Sequence, residues 1–188
     1  MPSNNRRLIA LVGLLAIIVV GAGTILYTRD YYRPESVAVV GHPLPLPELT
    51  DLEGELVDFD AFRGRPLLAT FIQMDCGHCQ EQLVVLEKLR EEFDDSLGIV
   101  VISTDTHTEA VGFFRDILVS FPVWVDSRRG LYKKLGAINV PALFLLDEDG
   151  ILRHAAVGYQ SFQDVRKMVI GTLHQDGVSS GKESEHPQ

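Results

Sequence analysis

Cys76 and Cys79 are the only two cysteines in the 188-residue chain, and only Gly77 and His78 stand between them. Disulfides are attacked by a thiolate, not a thiol. Two intervening residues let a second sulfur reach back to the first, so this spacing suits reversible exchange in which Cys76 engages a partner and Cys79 resolves it. His78 can stabilise a Cys76 thiolate by hydrogen bonding or by positive charge, whereas the Asp75 carboxylate beside it works in the opposite direction. Other chemistries need letters that are missing. Covalent haem attachment calls for histidine directly after the second cysteine, and position 80 is Gln80. A structural zinc site takes four ligands, and His78, His107 and His154 would complete one only by coincidence. Two inert packed thiols are out of place beside a helix start in an exported chain. No metal and no cofactor is expected.

The elements that must hold the pair follow from periodicity. "RPLLATFIQM" is an apolar run that reads as a buried strand ending just before the cysteines. From His78 onward, Leu83, Leu86, Leu89 and Phe93 recur at helical spacing, so a helix is expected from about Gly77 to Phe93. Cys76 would then adjoin the first turn, where unpaired amides and the helix dipole favour negative charge. Beyond it come a strand at "GIVVIS", a helix at "HTEAVGFFRDIL", a strand at "FPVWV" and a short helix at "SRRGLYKKLG" stopped by Gly136. "ALFLL" and "ILRHAAV" flank "DEDG" as an antiparallel hairpin, and "SFQDVRKMVIGTLH" closes the domain as a helix with Ser161 as N-cap. Upstream, "TDLEGELVDFDAFRG" reads as a turn, a short strand and a short helix, after an extended "HPLPLPEL". Alternating strands and helices with a terminal hairpin predict an α/β fold: a mixed central sheet flanked by helices on both faces. The cysteines fall at the carboxyl end of a strand, where function collects in such sheets. Trp124 and its aromatic neighbours read as core. His42, His107, His154, His174 and His186 read as surface or locally hydrogen-bonded, and the charges of "EEFDD" as a solvated helix end.

Residues 8–28 form a separate problem. "LIALVGLLAIIVVGAGTILY" carries no charge and at the helical rise spans about 30 Å, the thickness of a bilayer core. It reads as a single transmembrane anchor or signal-anchor; a signal peptide cleaved near Gly21–Gly23 is the rival reading. Arg6 and Arg7 precede the span and Arg29 and Arg33 follow it, so the arginine count does not orient it. The short amino-terminal tail (1–7) and the cysteine chemistry place the tail inside and the domain outside the cytoplasm, where a disulfide persists. The organisation expected is therefore tail, anchor, linker (29–43), domain (44–174) and a disordered polar tail (175–188). Net charge is −9 overall, and the first 40 residues hold four basic and two acidic side chains, which makes the remainder more acidic still. Such a surface repels phosphates, which excludes nucleic acid as a partner.

Across about residues 44–174 the chain resembles membrane-anchored thioredoxin-like proteins of the TlpA/ResA type, within the alkyl hydroperoxide reductase/thiol-specific antioxidant superfamily. The resemblance lies in "DLEGELVDFDAFRGRPLLATFIQMDCGHC" and "FPVWVDSRRGLYKKLGAINVPALFLLDEDG", in that order; the Cys-Gly-His-Cys tetrad also matches protein disulfide isomerases. It implies a thioredoxin-like fold and a thiol–disulfide oxidoreductase acting on cysteine-containing exported proteins, with Cys76–Cys79 as the redox-active disulfide. It also implies that Pro141 is a cis-proline facing the cysteines and that Val140 offers backbone hydrogen bonds to an extended substrate, pairing that serves many sequences. TlpA/ResA similarity favours a reductase, of the cytochrome c maturation type, fed by a membrane thiol-electron carrier, on the periplasmic side of a bacterial inner membrane. This chain departs from the family in three places. Asp75 stands where tryptophan is common. Gln82 and Val84 stand where the ResA pattern has glutamate and proline, so the proton acceptor for Cys79 is open; Glu81 is one step away. Gln73 stands where peroxiredoxins carry threonine or serine, which counts against a thiol peroxidase. A Cu(I) metallochaperone is the other alternative, since thiolates suit that ion, although copper-binding relatives space their cysteines by three residues.

Overall fold

The computed structural model describes residues 39–44, 49–57, 59–136 and 139–179, with side chains to 174, and the isolated Gly13 and Gly21. The chain divides into two units, Met1–Pro34 and Glu35–Gln188. The apolar stretch at 8–28 lies outside the described residues, and among those described no helix is long and apolar enough to cross a membrane.

The elements of the second unit are β1 (Leu49–Asp51), β2 (Leu56–Val57), a 3-10 turn (Phe59–Phe62), β3 (Leu67–Ile72), α1 (Gly77–Phe93), β4 (Gly98–Ser103), α2 (His107–Asp116), β5 (Val123–Val125), α3 (Gly130–Lys134), β6 (Ala142–Leu146), β7 (Leu152–Val157) and α4 (Phe162–Ser179). The strands form one seven-stranded sheet in the order β2-β1-β5-β4-β3-β6-β7. β3, β4 and β5 run parallel, while β1, β2, β6 and β7 join antiparallel. This is the mixed sheet that the order of elements predicts. Parallel β3, β4 and β5 follow from helical crossovers, and the β6–β7 hairpin turns back through Asp147–Gly150.

Strand alternation divides the core in two. Leu67, Ala69 and Phe71 of β3, Val100 and Ile102 of β4, and Ala142, Phe144 and Leu146 of β6 face one layer, which α3 and the 3-10 turn cover through Leu131, Phe59 and Phe62. Leu68 and Ile72, Ile99 and Val101, and Leu143 and Leu145 face the other. There α1 supplies Leu83, Leu86 and Leu89, α2 supplies Phe114, and α4 supplies Val165 and Val169. Strands buried on both faces read as unbroken apolar runs, which is why β3, β4 and β6 were legible. Trp124 is core, meeting Phe59 edge-on at 4.5 Å and Phe62 at 5.7 Å.

Several expectations need correction. The strand at "FPVWV" begins only at Val123, because Phe121 packs in the α1 layer ahead of the ladder. The helix at "HTEAVGFFRDIL" ends at Asp116; Ile117 turns to extended backbone and leaves Leu118 almost wholly exposed. The final helix continues to Ser179, so the polar tail does not start at Gln175; residues 180–188 lie outside the described residues. The stretch taken as linker belongs to the domain at its end. Gly41 N–H donates to Leu152 O at 2.8 Å, Leu152 N–H donates to His42 O at 3.0 Å, and Pro43 bridges Ile151. His107 is half-buried and its Nε2 lacks a hydrogen-bond partner among the described residues, so it is not the satisfied surface histidine expected.

Candidate active site

α1 starts where the sequence places it because Cys76 is its N-cap. Cys76 has extended backbone, and its sulfur accepts the Cys79 N–H at 3.2 Å, a place usually held by a serine or aspartate oxygen. Gly77 follows with open space around it, and the helix then runs unbroken to Phe93. Cys76 and Cys79 form a disulfide, with Cα atoms 5.2 Å apart. The two sulfurs are unequal. Cys79 is fully buried among Leu83, Leu86 and the sheet, whereas Cys76 is half-exposed at the rim. The N-terminal turn of α1 offers its free amides to the outer sulfur, which favours thiolate there when the bond opens.

The loop that delivers Cys76 is pinned on three sides. Thr104 N–H donates to Ile72 O at 3.0 Å, and its hydroxyl donates to the same oxygen at 3.3 Å. Met74 N–H donates to the Asp105 carboxylate at 3.0 Å, and Gln80 Nε2 donates to Met74 O at 3.1 Å. Asp105 is oriented in turn by the Ser103 hydroxyl, which donates to the same carboxylate oxygen at 3.0 Å. Asp105 thus positions the cysteine loop, a role the sequence reading missed. The signal was available in principle: parallel β3 and β4 end side by side, so the residues after "GIVVIS" had to meet those before Cys76.

Opposite the disulfide, the Val140–Pro141 peptide bond is cis, the isomer the resemblance implied. The Val140 carbonyl oxygen lies 3.9 Å from the Cys76 sulfur. Gly158 N–H donates to Pro141 O at 2.7 Å, which ties the loop after β7 to this segment. The structure therefore brings Cys76, Cys79, Val140 and Pro141 together.

His78 belongs to the same first turn but looks outward. Its side chain is 74% exposed, its Nδ1 lies 3.1 Å from the Glu81 carboxylate, and its ring centroid is 6.4 Å from that of Tyr159. No hydrogen bond among those of the described residues joins it to either sulfur. Asp75 and Glu81 are exposed as well. Gln82, noted above only for the acid it lacks, is fully buried, and its Oε1 accepts the Gln160 N–H at 2.8 Å. Among the described residues no group of three His, Cys, Asp or Glu side chains could hold a metal ion.

Farther round the same end of the sheet, Asp126 is buried at the end of β5. It accepts the Gly130 N–H at 2.8 Å and the Tyr132 N–H at 2.9 Å, which anchors α3. Burial pushes its carboxyl above the ordinary value, and these amides together with Arg129 only partly offset that. Arg129 Nε in turn donates to Thr104 O at 3.3 Å, linking this loop to the one that holds Ile72.

Comparison with known proteins agrees with this geometry. Two proteins of Bacillus are similar over most of their length. The thiol-disulfide oxidoreductase ResA of Bacillus thuringiensis subsp. konkukian is 26% identical over 167 residues, covering 87% of this chain and 95% of that protein. The thioredoxin-like protein YneN of Bacillus subtilis is 27% identical over 162 residues, covering 84% and 94%. Among solved structures, a putative thiol:disulfide interchange protein DsbE from Chlorobium tepidum superposes with a TM-score of 0.67 at 19% identity, over 72% of this chain and 98% of that one. A putative thiol-disulfide oxidoreductase from Bacteroides vulgatus gives 0.66 at 18% identity, over 73% and 99%. The fold is thioredoxin-like, with a mixed sheet and flanking helices. The profile of the AhpC/TSA family matches residues 40–155, and the chain belongs to that family.

Proposed function

We infer that this protein is a thiol–disulfide oxidoreductase working as a reductase on cysteine-containing exported proteins. One observation carries the reading: a Cys76–Cys79 disulfide at a helix N-terminus, with one sulfur accessible and the other buried behind it. In the reduced protein Cys76 attacks a client disulfide as the thiolate favoured by the α1 amides, and Cys79 then attacks Cys76 to release the client. Val140 presents main-chain groups beside the attacking sulfur, which suits an extended client of many sequences. His78 is exposed on the rim beside Glu81 and makes no hydrogen bond to either sulfur among the described residues. The apolar stretch at 8–28 supports a membrane anchor, with the domain outside the cytoplasm, and a membrane thiol-electron carrier restores the dithiol. Support for the reductive direction, and for clients of the cytochrome c maturation type, comes from the ResA likeness.

Equilibration of the full chain in glutathione redox buffers, reading the Cys76–Cys79 state by alkylation, tests the direction. A potential near −270 mV, that of thioredoxin, is expected, and one near −120 mV, that of a strong oxidant, would reverse the direction. Insulin disulfide reduction without peroxide consumption separates this activity from a thiol peroxidase, and copper-free protein that still exchanges separates it from a metallochaperone.

A further inference from the structure

Gln82 lies three residues beyond Cys79 on the inward face of α1, and neither side chain has exposed surface. Residues three apart on a helix are neighbours. The Gln82 Oε1 accepts the Gln160 main-chain N–H at 2.8 Å. A main-chain N–H can only donate, so that bond settles which end of the amide is oxygen. The other end is therefore a true NH2 group, and it is buried without a partner among the described residues. Folded proteins leave few such donors unpaired, and each one calls for an explanation.

The explanation offered by the surroundings is a sulfur. The layer around Cys79 is otherwise built from Leu68, Thr70, Ile72, Leu83, Leu86, Leu143 and Val165, and the Thr70 hydroxyl is likewise buried without a hydrogen-bond partner among the described residues. While the disulfide is closed, the Cys79 sulfur is bonded to Cys76 and accepts weakly; once open, it is a thiol or a thiolate. Gln82 also touches the other half of the site. Gln160 Nε2 donates to Gly158 O at 3.2 Å, Gly158 N–H donates to Pro141 O, and Val140 O faces the Cys76 sulfur. We propose that Gln82 is a positioning residue for exchange: its Oε1 holds the Gly158–Gln160 loop against Pro141, and its Nε2 donates a hydrogen bond to the Cys79 sulfur when the disulfide opens.

The proposal rests on the oxidoreductase reading and supplies what that reading lacks. The Cys76 thiolate attacks a client disulfide, and the first client sulfur leaves with the electron pair of the broken bond and takes a proton. Cys79 gives up its proton to solvent and attacks the Cys76 sulfur. The Cys76–client bond breaks, the Cys76–Cys79 bond forms, and the second client sulfur leaves with its pair and is protonated. Two electrons pass from the protein dithiol to the client. The buried Cys79 thiolate needs a donor, since burial alone disfavours it. Charged groups on the surrounding elements are committed elsewhere. His78 pairs with Glu81 at the surface of α1, Asp75 is exposed, Asp105 holds Met74 and Ser103, and Asp164 bonds Ser161 at the start of α4.

The test uses the full chain in detergent with Cys76→Ser, so that Cys79 alone titrates, followed by thiolate ultraviolet absorbance against pH. Gln82→Met, which removes the amide at similar size, is expected to leave about tenfold less Cys79 thiolate at a given pH below the midpoint, a midpoint about one unit higher. Gln82→Glu keeps the acceptor for Gln160 but loses the donor and adds like charge, so its midpoint is expected to rise at least as far. Midpoints unchanged in both variants would overturn the proposal. If the variants do not fold, the unsubstituted protein answers by NMR. On reduction the Gln82 side-chain amide protons are expected to shift and exchange more slowly, and resonances indifferent to redox state would sink the idea. A protein inactive on every disulfide substrate, yet with a Gln82-dependent titration, would remove the oxidoreductase reading and leave this hydrogen bond standing.

Discussion

Burial divides the labour between the two sulfurs, so each replacement should stop the reaction at a different point. With Cys79→Ser the outer thiolate still attacks but nothing resolves it, and a mixed disulfide with the client is expected to accumulate on non-reducing gels. With Cys76→Ser no such adduct is expected, because the remaining sulfur is fully buried. An adduct through Cys79 in that variant would contradict the assignment. Asp105 acts at one remove, through the Met74 amide. Asp105→Ala leaves that N–H unpaired, and a lost charge-assisted bond of this kind is worth about 1.5–3 kcal/mol. Urea unfolding is expected to register a loss of that order. The rate of insulin reduction should fall as well, as the cysteine loop loosens, while Asp105→Asn, which keeps an acceptor, recovers most of both. Equal damage from Asn and Ala would point to the charge rather than the bond.

At the scale of elements, helix termini carry the function. α1 is capped by the reactive residue itself, since the Cys76 sulfur that exchanges also accepts the Cys79 N–H. α2, one loop away, has a conventional cap: the Thr106 hydroxyl oxygen accepts the Glu109 N–H, and the Glu109 carboxylate accepts the Thr106 N–H at 3.0 Å. Thr106→Ala is expected to cost about 1 kcal/mol in chemical denaturation. The Thr106 hydroxyl, which donates to the Glu109 carboxylate at 2.6 Å, and then the Thr106 N–H hold that carboxyl below its ordinary value. The contribution of the Glu109 carboxylate to the capping box is therefore present above the ordinary glutamate value and fades as pH falls through the lower folded one. The stability gap between wild type and Thr106→Ala should narrow under acid to the part the Thr106 oxygen supplies to the Glu109 N–H, and a gap that widens there would argue against the box. Because Asp105 adjoins this cap, the cost should be accompanied by faster amide exchange at Met74.

For the whole molecule, a second pH-dependent contribution comes from Asp126, which joins β5 to α3 and lies buried near the site end of the sheet. Its folded carboxyl titrates above 3.8, the ordinary value, because burial disfavours the charge. Below that value both states are protonated and the group is neutral in its effect. As pH rises from there toward the folded value, the unfolded chain ionises first, and stability is lost. The difference in unfolding free energy between wild type and Asp126→Asn should therefore decline across that interval and flatten above it. A difference that grows with pH would show that the amides of Gly130 and Tyr132 outweigh desolvation. The consequence is architectural: a fold that binds Ile72, Thr104, Arg129 and Asp126 in sequence couples three loops at one end of its sheet.

What the linear chain determined was whatever depends on near neighbours. The Cys-Gly-His-Cys spacing, the α1 boundaries and the apolar runs of β3, β4 and β6 are all local, since side-chain period and chain stiffness act within a turn or two. The roles of Gln82 and Asp105 were not local. Gln82 looked like a missing acid until Gln160, 78 positions away, was found at its oxygen, and Asp105 meets Met74 across 31. His78 was adjacent in sequence and suggested contact with the sulfur, yet its helical azimuth turns it to Glu81 and solvent. Only the tertiary structure decides such pairings, because buried polar groups must take whatever partner the packed sheet and helices bring within reach.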